Sequence, residues 1–323
     1  MSPAVNGRQR EWARAFAPAS SSNLGPGFDL LGHAIAGPRD EVLARRVSTP
    51  GVRITALHGL PLALPSDALR NTAGLAALRL LERAGAGFGV ELELHKGIPL
   101  GSGIGGSAAS AVAAVVAVNA LLDEAQPLDV LLDCALDGEA LASGARHADN
   151  VAPALLGGLV AAFERPVAIA APDWLYAALV TPEQVLETRV AREVLLAPYP
   201  LTDLVRQTHH LAALLLGLQR GDRRLLREGL RDVLVEPRRI GLIPGFTAVR
   251  DGALDAGAFG AGISGAGPTL FGWFEGQAAA QRGAEAMRAA FALQGIAATA
   301  LATPVAGPAA ALLDRDEGEG SGR

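Results

Sequence analysis

The chain has 323 residues, half of them hydrophobic, a formal net charge of −5 and a single cysteine. This length is sufficient for about two domains with full cores, and the acidic balance argues against nucleic acid or an anionic membrane as a partner. Cys134 on its own excludes an internal disulfide and gives no metal–thiolate site.

The first half of the chain shows both strand and helix patterns. Alternation of apolar and polar residues predicts strands over 13–17, 41–46, 51–57 and 89–95. Helical periodicity predicts helices over 71–84, with Asn71 or Thr72 as its cap, over 107–122 and over 127–141. Residues 18–27 are predicted as a loop. Residues 148–161 are predicted as a loop around Gly157 and Gly158 followed by a strand.

The pattern restarts near residue 166, after Glu164-Arg-Pro interrupts the apolar run. Strands are predicted over 174–180, 258–263 and 269–274. Helices are predicted over 183–196, 201–218, 223–234, 246–256 and 278–293. Strands and helices in both halves predict an α+β protein of two domains, which we assign to 1–165 and 166–323.

The start of the chain lacks the apolar core of a signal peptide. The most apolar run, 108–122, is too short for a bilayer span and is interrupted by Ser110 and Asn119. Because that run is apolar all round, it predicts a helix buried inside the protein. We therefore expect a cytoplasmic protein with no membrane partner.

The most informative motif is Pro99-Leu-Gly-Ser-Gly-Ile-Gly-Gly-Ser-Ala-Ala-Ser110, between a predicted strand and the buried helix. Glycine reaches positive φ, and a helix N-terminus presents free N–H groups, so together they favour phosphate. The Gly-x-Gly-x-x-Gly spacing matches a dinucleotide fingerprint, but Asp123 and Glu124 end a helix instead of a strand. A Walker loop is excluded because Lys96 precedes the glycines. A glycine-rich packing turn remains the structural alternative.

Two further loops of small residues lie far away in the sequence. One is Pro18-Ala-Ser-Ser-Ser-Asn-Leu-Gly-Pro-Gly-Phe-Asp29, and the other is Ile263-Ser-Gly-Ala-Gly-Pro-Thr269. Three such loops in two domains suggest the walls of one cleft. With these loops the chain resembles the GHMP kinases, whose ATP loop has the form Pro-x-x-x-Gly-(Leu/Ile)-Gly-Ser-Ser-Ala-Ala. The resemblance runs from about residue 13 to residue 305, and one position departs from it, since Gly106 replaces the first serine.

The resemblance implies a two-domain GHMP-kinase fold, with an N-terminal ATP-binding domain and a C-terminal ferredoxin-like α/β sandwich. The segments Asn23–Asp29 and His147–Pro153 point to the members that phosphorylate the hydroxyl of L-homoserine in threonine biosynthesis. ATP, Mg²⁺ and a homodimer follow from the same resemblance. The alternatives are a shikimate- or mevalonate-type kinase, a non-catalytic binding protein on this fold, and an NAD-dependent oxidoreductase resting on the glycine spacing.

The resemblance also implies the nucleotide site. Its residues are Asn71 at the adenine pocket and the loop Pro99, Leu100, Gly101, Ser102, Gly103, Ile104, Gly105, Gly106, Ser107 and Ala108. Ser107 and Glu139 match the family's magnesium-binding serine and glutamate. Glu139 taken without the family pattern is more simply a solvated helix acid, and Asn71 is equally well explained as a helix cap. Without a P-loop lysine, we expect backbone N–H groups and the divalent ion to neutralise the phosphates.

A zwitterionic amino acid needs a guanidinium for its carboxylate and oxygen acceptors for its ammonium group. By resemblance, Arg192 and Arg239 match the carboxylate positions, Asn23 and Asp29 the amino and hydroxyl end, and Thr188 a nearby position. An arginine on a surface helix is usually only solvated, and Thr188 could be a plain N-cap. Ser264, Gly265 and Gly267 would bring the second domain's backbone to the glycine loop.

His147, Asp149 and Asn150 form a polar cluster before Gly157. Chemistry alone would make His147 a general base. The resemblance implies instead that His147 lies at the substrate and that Asn150 occupies the position where other family members have an aspartate base. Asn150, Arg192 and Glu139 are then the expected catalytic residues. A loose transition state asks little of a base, but Asp149 keeps a carboxylate base open.

Overall fold

The structure is a computed structural model that describes residues 10–59 and 64–314. In chain order, its strands are β1 (Trp12–Ser22), β2 (Leu31–Val47), β3 (Gly51–His58), β4 (Gly89–His95), β5 (Leu159–Ala161), β6 (Val167–Ile169), β7 (Leu175–Pro182), β8 (Gly260–Ile263), β9 (Leu270–Glu275), β10 (Ala298–Pro304) and β11 (Ala311–Leu313).

The helices alternate with these strands. They are α1 (Thr72–Arg83), α2 (Gly106–Asn119), α3 (Leu128–Ser143), α4 (Ala148–Leu156), α5 (Thr188–Glu193), α6 (Leu201–Arg220), α7 (Arg223–Gly229), α8 (Glu236–Arg239), α9 (Phe246–Asp255) and α10 (Gln277–Leu293). Short 3₁₀ turns cover Ala68–Arg70 and Ile240–Leu242. The expected α+β class is confirmed.

The first sheet has the strand order β11-β1-β2-β4-β3, with β5 and β6 added beside β2. Its pairs are antiparallel except for β3 and β4, which run parallel. Helices α1, α2 and α4 pack on this sheet, and α3 packs on α1 and α2. The helix α2 is buried at ten of its fourteen residues because small apolar side chains surround it. The predicted buried helix is therefore confirmed.

The second sheet has the order β10-β7-β9-β8 and is antiparallel throughout. Helices α9 and α10 pack on it, which gives the α/β sandwich that the resemblance implied. Leu214 and Leu226, from α6 and α7, and Trp273, from β9, belong to the same core cluster as the first sheet. Part of the second half therefore packs into the core of the first sheet, while α9 and α10 cover a separate core cluster on the second sheet.

The division at residues 165 and 166 stays a prediction. Strands β6 and β11 follow that point in sequence, yet both lie in the first sheet. The return of β11 to β1 depends on a pairing across almost the whole chain, Arg14 with Leu313, which local patterns cannot indicate.

Four predicted elements were wrong. The helix predicted over 223–234 ends at Gly229, the last residue of α7. Residues 18–22 continue β1 instead of forming a loop, and the turn begins at Asn23. Residues 148–156 form α4 instead of a loop. Pro153 interrupts the helical pattern there, but it only leaves the carbonyl of Asp149 without its helix donor. A Cβ at Gly32 would lie 1.8 Å from that carbonyl oxygen, so only glycine fits beside it. The predicted helix 183–196 shortens to α5, because 183–187 lies extended over the glycine loop.

Candidate active site

One cleft of about 400 Å³ lies between the two halves of the chain. It is lined by nearly all the predicted site residues: Asn23, Asp29, Asn71, Pro99, Leu100, Gly101, Ser102, Gly103, Gly105, Gly106, Ser107, Glu139, His147, Asn150, Thr188, Arg192 and Arg239. Ile104 and Ala108 do not line it, since their side chains are buried in the apolar core. The sequence motifs thus converge on one site.

The glycine loop has the backbone that its composition predicted. Gly101, Gly103 and Gly105 have φ of 60°, 79° and 70°, a region that favours glycine. A Cβ at Gly103 would lie 2.5 Å from the carbonyl oxygen of Gly267, and one at Gly105 would lie 2.2 Å from Ser20 Oγ. The loop then enters α2 at Gly106, so the first N–H groups of that helix line the cleft.

The second half of the chain holds this loop in position. Leu186 N donates to the carbonyl of Gly101 (3.1 Å), and Ser264 Oγ donates to the carbonyl of Gly103 (2.9 Å). Thr269 donates to the carbonyl of Ser102 from both its N–H (3.2 Å) and its hydroxyl (2.6 Å). The expectation that the 264–267 turn approaches the glycine loop is confirmed.

Gly106, the position that departs from the family pattern, is closely packed. A Cβ there would lie 3.1 Å from Ile98 Cγ2. The carbonyl oxygen of Gly106 accepts a hydrogen bond from Lys96 Nζ at 2.9 Å. In this chain a serine at position 106 would therefore press its Cβ against Ile98, which would have to shift slightly.

Lys96, the only lysine of the chain, lies buried beneath the glycine loop and lines the cleft. Its ammonium group pairs with Asp40 and donates to Ser110 Oγ (2.8 Å). The other oxygen of Asp40 accepts from the N–H groups of Gly97 and Ile98, both at 3.1 Å. Because the partners of this ammonium group are Asp40, Ser110 and the Gly106 carbonyl, the expectation that backbone N–H groups and a divalent ion neutralise the phosphates stays a prediction.

Ser107 and Glu139 face the cleft from the start of α2 and the end of α3. Glu139 is 7 % exposed and, among the described residues, its Oε2 has no hydrogen-bond partner. Burial raises the pKa of Glu139 from 4.5 to about 7, and the Ser107 hydroxyl acts in the opposite direction. A buried carboxylate oxygen without a partner beside a hydroxyl fits a hard divalent cation. The simple interpretation of Glu139 as a solvated helix acid was wrong.

At the other end of the cleft, Arg192 and Asp29 form a bidentate ion pair. The two N···O distances are 2.7 and 3.2 Å. His147 Nδ1 lies 3.7 Å from Asp29 Oδ1, and burial lowers the pKa of this imidazole, with Arg192 acting in the same direction and Asp29 against it. The sequence distance of 163 residues between Asp29 and Arg192 shows that the fold brings these charges together.

A second guanidinium lies beside this pair. Arg239 is 2 % exposed and donates to the carbonyls of Ala191 (2.9 Å) and Gly265 (3.0 Å). Burial, reinforced by Arg192, lowers the pKa of Arg239 to about 10, so the group is charged at neutral pH. The guanidinium carbons of Arg192 and Arg239 lie 5.4 and 5.3 Å from the ring centroid of Phe28. Two positive charges thus share one aromatic side chain.

Asn23 joins the turn after β1 to the turn at Gly265. Its Nδ2 donates to the carbonyl of Gly265 (2.6 Å), and its Oδ1 accepts from the N–H of Asp29 (3.0 Å). Asn23, Leu24 and Asp29 all have positive φ, at 72°, 49° and 55°. Backbone strain of this kind persists where surrounding contacts hold it in place and is common at functional sites.

The amide of Asn150 is held by two serines of β1. Asn150 Nδ2 donates to Ser22 Oγ, and Ser20 Oγ donates to Asn150 Oδ1, both at 2.9 Å. The neighbouring Asp149 is 3 % exposed, and its Oδ1 has no partner among the described residues. Burial and then the charge of Asp29 raise the pKa of Asp149 to about 6, against the Ser22 hydroxyl.

Thr188 is the first residue of α5 and lines the cleft. The N-cap of that helix is Glu187, so the capping interpretation of Thr188 was wrong. Arg189, the neighbour for which no function was expected, is exposed and pairs with Glu193 at 2.6 Å. Thr188 therefore faces the site while Arg189 faces solvent.

Asn71 caps α1, as one of its two interpretations predicted. Its Oδ1 accepts from the N–H groups of Ala73 (3.0 Å) and Gly74 (3.4 Å). Its Nδ2 donates to the carbonyl of Pro65 at 3.0 Å. Because Asn71 also lines the cleft, the adenine role stays compatible with the cap and stays a prediction.

Asn71→Ala is expected to lower the free energy of unfolding by about 1 kcal/mol through loss of the cap. Asn71→Asp keeps the capping oxygen but loses the donor to Pro65, so it should retain most of this stability. Urea unfolding of both variants, with KM for ATP measured beside it, separates the roles. A rise in KM in the alanine variant alone would argue against contact between Nδ2 and the nucleotide.

The unpartnered buried polar atoms of the described residues are concentrated in this cleft. Of the eight such atoms, four belong to cleft residues: Glu139 Oε2, His147 Nε2, Asp149 Oδ1 and Arg192 Nε. Buried polar atoms without partners cost free energy unless a ligand or water satisfies them. Their concentration here indicates a site that binds polar ligands.

Several residues that line or support the cleft were not predicted from the sequence. Phe28 supports both arginines, and Ser20 and Ser22 position Asn150. A signal existed for Phe28, because it stands inside the Gly-Pro-Gly-Phe-Asp segment that was singled out. Ser20 and Ser22 lie on β1, so the prediction of a loop over 18–27 concealed that their side chains could position another residue. No local pattern around Asp40 indicated that it would pair with Lys96.

Comparison with known proteins gives consistent matches. The model of the GHMP kinases N terminal domain matches residues 71–158, and that of the GHMP kinases C terminal matches residues 214–293. The chain is 53 % identical to a homoserine kinase of Xanthomonas campestris pv. campestris over 312 residues, 96 % of each chain. A homoserine kinase structure from Cytophaga hutchinsonii superposes with a TM-score of 0.92 at 40 % identity, covering 96 % of this chain and 100 % of the other. L. major mevalonate kinase, at 18 % identity and a TM-score of 0.68 over 94 % and 99 % of the two chains, shares the fold.

Proposed function

Because this chain belongs to the GHMP kinases, and among them to the homoserine kinases, we propose that its cleft transfers the terminal phosphoryl group of ATP to the hydroxyl of L-homoserine. The product is O-phospho-L-homoserine, a phosphomonoester on the route to threonine. The non-catalytic alternative and the shikimate or mevalonate alternatives have no comparable support, since mevalonate kinases match at under 20 % identity.

The observation that carries this proposal is the pair of opposite charges in the acceptor half of the cleft. Arg192 and Asp29 pair with each other at 2.7 Å, and Arg239 adds a second cation beside them. A zwitterion offers a carboxylate to the arginines and an ammonium group to Asp29, so it replaces one ion pair with two. An isoprenoid acid offers only the carboxylate, and a neutral sugar offers neither charge.

The donor half suits a nucleoside triphosphate. The N–H groups around Gly101–Ala108 and the start of α2 would face the phosphates, and Lys96, paired with Asp40, supports the loop beneath them. Ser107 and Glu139 would hold Mg²⁺, which when bound supplies positive charge against the phosphate oxygens. Asn71 would lie at the adenine.

Catalysis here is chiefly positioning. Asn150, held by Ser20 and Ser22, would orient the substrate hydroxyl toward the phosphate. Arg192 would bind the substrate carboxylate and add positive charge near the transferring group. Burial lowers the pKa of His147, which favours the neutral imidazole, so it would serve as a hydrogen-bonding neighbour. In a loose transition state the hydroxyl proton can pass to the transferred phosphoryl group itself.

Asp149→Asn tests this base-free scheme. The amide has nearly the same size as the carboxyl and avoids the charge that burial disfavours, so turnover should be largely retained. Steady-state kcat at saturating substrates is the measurement. A loss of about 10³-fold, larger than a positioning defect usually causes, would assign the base to Asp149.

The substrate is tested by ADP release with L-homoserine, shikimate, mevalonate and galactose as acceptors. We expect turnover with L-homoserine and a kcat/KM at least about 10²-fold lower for the others. No turnover with L-homoserine would defeat the specific assignment, and no turnover with any acceptor would favour a binding protein. Thermal stabilisation by NAD and not by ATP would revive the oxidoreductase alternative.

Within the described residues, no helix combines the length and apolar character needed to cross a membrane. From the family we further propose a cytoplasmic homodimer. Sedimentation at several concentrations tests the dimer, since a mass of a single chain throughout would exclude it.

A further inference from the structure

A cluster of three metal-binding side chains lies outside the cleft, at the ends of β3 and β4. His58 pairs directly with His95 across these parallel strands. Glu93 precedes His95 by two residues, so both side chains project from the same face of β4. His58 is exposed, while Glu93 and His95 are half-buried. The register of the two strands therefore presents three donor groups together at the edge of the sheet.

The distances within this cluster are short. The rings of His58 and His95 are stacked, with centroids 4.5 Å apart and an interplanar angle of 25°. One ligand atom from each of the three residues lies within 4.8 Å of the others. Ligands at about 2.0–2.2 Å from one zinc ion lie about 3–4 Å from each other. Because the lone pairs of stacked rings point in parallel, binding of one ion requires the exposed His58 ring to turn about its side-chain torsions, which also closes this difference in distance.

The charged neighbours leave the donor atoms of the cluster accessible. From β2, Arg45 approaches Glu93 only to 4.0 Å, a contact that solvent screens. Imidazole coordinates a metal ion in its neutral form.

We propose that His58, Glu93 and His95 form a binding site for a borderline divalent cation such as Zn²⁺, separate from the Mg²⁺ site of the cleft. Two imidazole nitrogens and one carboxylate oxygen are the donor set of zinc and its transition-metal neighbours, whereas Mg²⁺ prefers oxygen ligands alone. Water would complete the coordination on the exposed side.

This site adjoins the support of the phosphate loop. His95 immediately precedes Lys96, and Lys96 N donates to the carbonyl of His58 at 3.0 Å. A Cβ at Gly59 would lie 2.2 Å from the carbonyl oxygen of Lys96. An ion that bridges His58 and His95 would therefore clamp β3 to β4 next to Lys96. Bound Zn²⁺ should raise the thermal midpoint, because it binds the folded chain preferentially.

The test is calorimetric titration of the full, tag-free chain with Zn²⁺ at pH 7.5, in excess Mg²⁺ to occupy the cleft. We expect one Zn²⁺ site, weakened about 10- to 100-fold or more in His58→Ala and in His95→Ala and less in Glu93→Gln. His209→Ala, which removes an exposed histidine paired with Glu228, is the matched control and should bind as the wild type does.

A second readout counts the nitrogen ligands. Cu²⁺ bound to the wild type should show hyperfine splitting from two imidazole nitrogens, and from one in either histidine variant. The proposal is overturned if the wild type binds no Zn²⁺ or if both histidine variants bind it unchanged. It is equally overturned if His147→Ala, in the cleft, is the substitution that removes binding.

Discussion

Glu139→Gln is expected to lower kcat about 10²- to 10³-fold while making the ligand-free protein more stable at pH 8. The loss of activity follows because the amide keeps the shape of the side chain but removes a full negative charge from the expected Mg²⁺ site. Metal-assisted charge stabilisation is worth several kcal/mol in the transition state, and about 1.36 kcal/mol corresponds to each factor of ten.

The gain in stability follows from the raised pKa. Glu139 has an ordinary pKa of 4.5 in the unfolded chain and about 7 in the fold, so between these values the folded state holds more protons. Stability therefore falls as the pH rises from about 4.5 to 7 and stays low above it. Glutamine cannot ionise, so its advantage is absent at pH 4 and reaches at most about 3 kcal/mol at pH 8.

Activity is measured as kcat with saturating substrates and Mg²⁺. Stability is measured by urea unfolding at pH 4 and pH 8 in the absence of Mg²⁺. Asp129→Asn, on the same helix but exposed, is the control; it should leave kcat unchanged and alter the free energy of unfolding by less than about 1 kcal/mol, with no gain at pH 8. An active Glu139→Gln enzyme would remove Glu139 from the metal site, and equal stability of variant and wild type at pH 8 would contradict the cost of burying its charge.

Lys96→Met is expected to lower the free energy of unfolding by about 3–5 kcal/mol. The side chains of Lys96 and Asp40 are 2 % and 1 % exposed, so removing the ammonium group leaves the Asp40 carboxylate buried without its countercharge. Ser110 and two backbone N–H groups still bind that carboxylate, which keeps the loss within this range. The Gly106 carbonyl also loses a donor, so KM for ATP should rise.

Urea unfolding of Lys96→Met is compared with two controls. Arg53→Met breaks an exposed pair with Glu91 at 3.5 Å and should cost less than about 1 kcal/mol. The double variant Lys96→Met/Asp40→Asn removes both charges and should recover part of the loss. A cost for Lys96→Met no larger than that of Arg53→Met would show that the buried pair is not a structural support of the loop.

Local patterns could predict the parts of the site that are continuous in sequence. The glycine loop, the helix behind it and the Asn71 cap follow from positive φ, apolar composition and capping chemistry, which act over a few residues. Family resemblance added Glu139, whose burial no local pattern indicated. The charge pair between Asp29 and Arg192 depends on the packing of two halves 163 residues apart, so chemistry could suggest the arginine but not its partner.

Other features were beyond prediction because they arise from tertiary contacts. Lys96 precedes the glycine loop in sequence. Only the turn at Gly97 and Ile98, whose N–H groups donate to Asp40, places Lys96 beneath the glycines. Helix α4 contains Pro153, and Gly32 accommodates the carbonyl that this proline leaves free. In both places a residue that argues against the element locally is compensated by a distant strand.

The central claim is that a zwitterion binds between Arg192 and Asp29. It is tested most directly by comparing kcat/KM for L-homoserine with that for 3-aminopropan-1-ol, which lacks the carboxylate, and for 4-hydroxybutanoate, which lacks the ammonium group. Each missing charge leaves a protein charge unpaired at about 2–5 kcal/mol, so both analogues should be poorer by about 30-fold to several thousand-fold. In Arg192→Met the penalty for 3-aminopropan-1-ol should shrink while that for 4-hydroxybutanoate remains. If the wild type uses both analogues as well as L-homoserine, the charge pair does not select the substrate and the claim is contradicted.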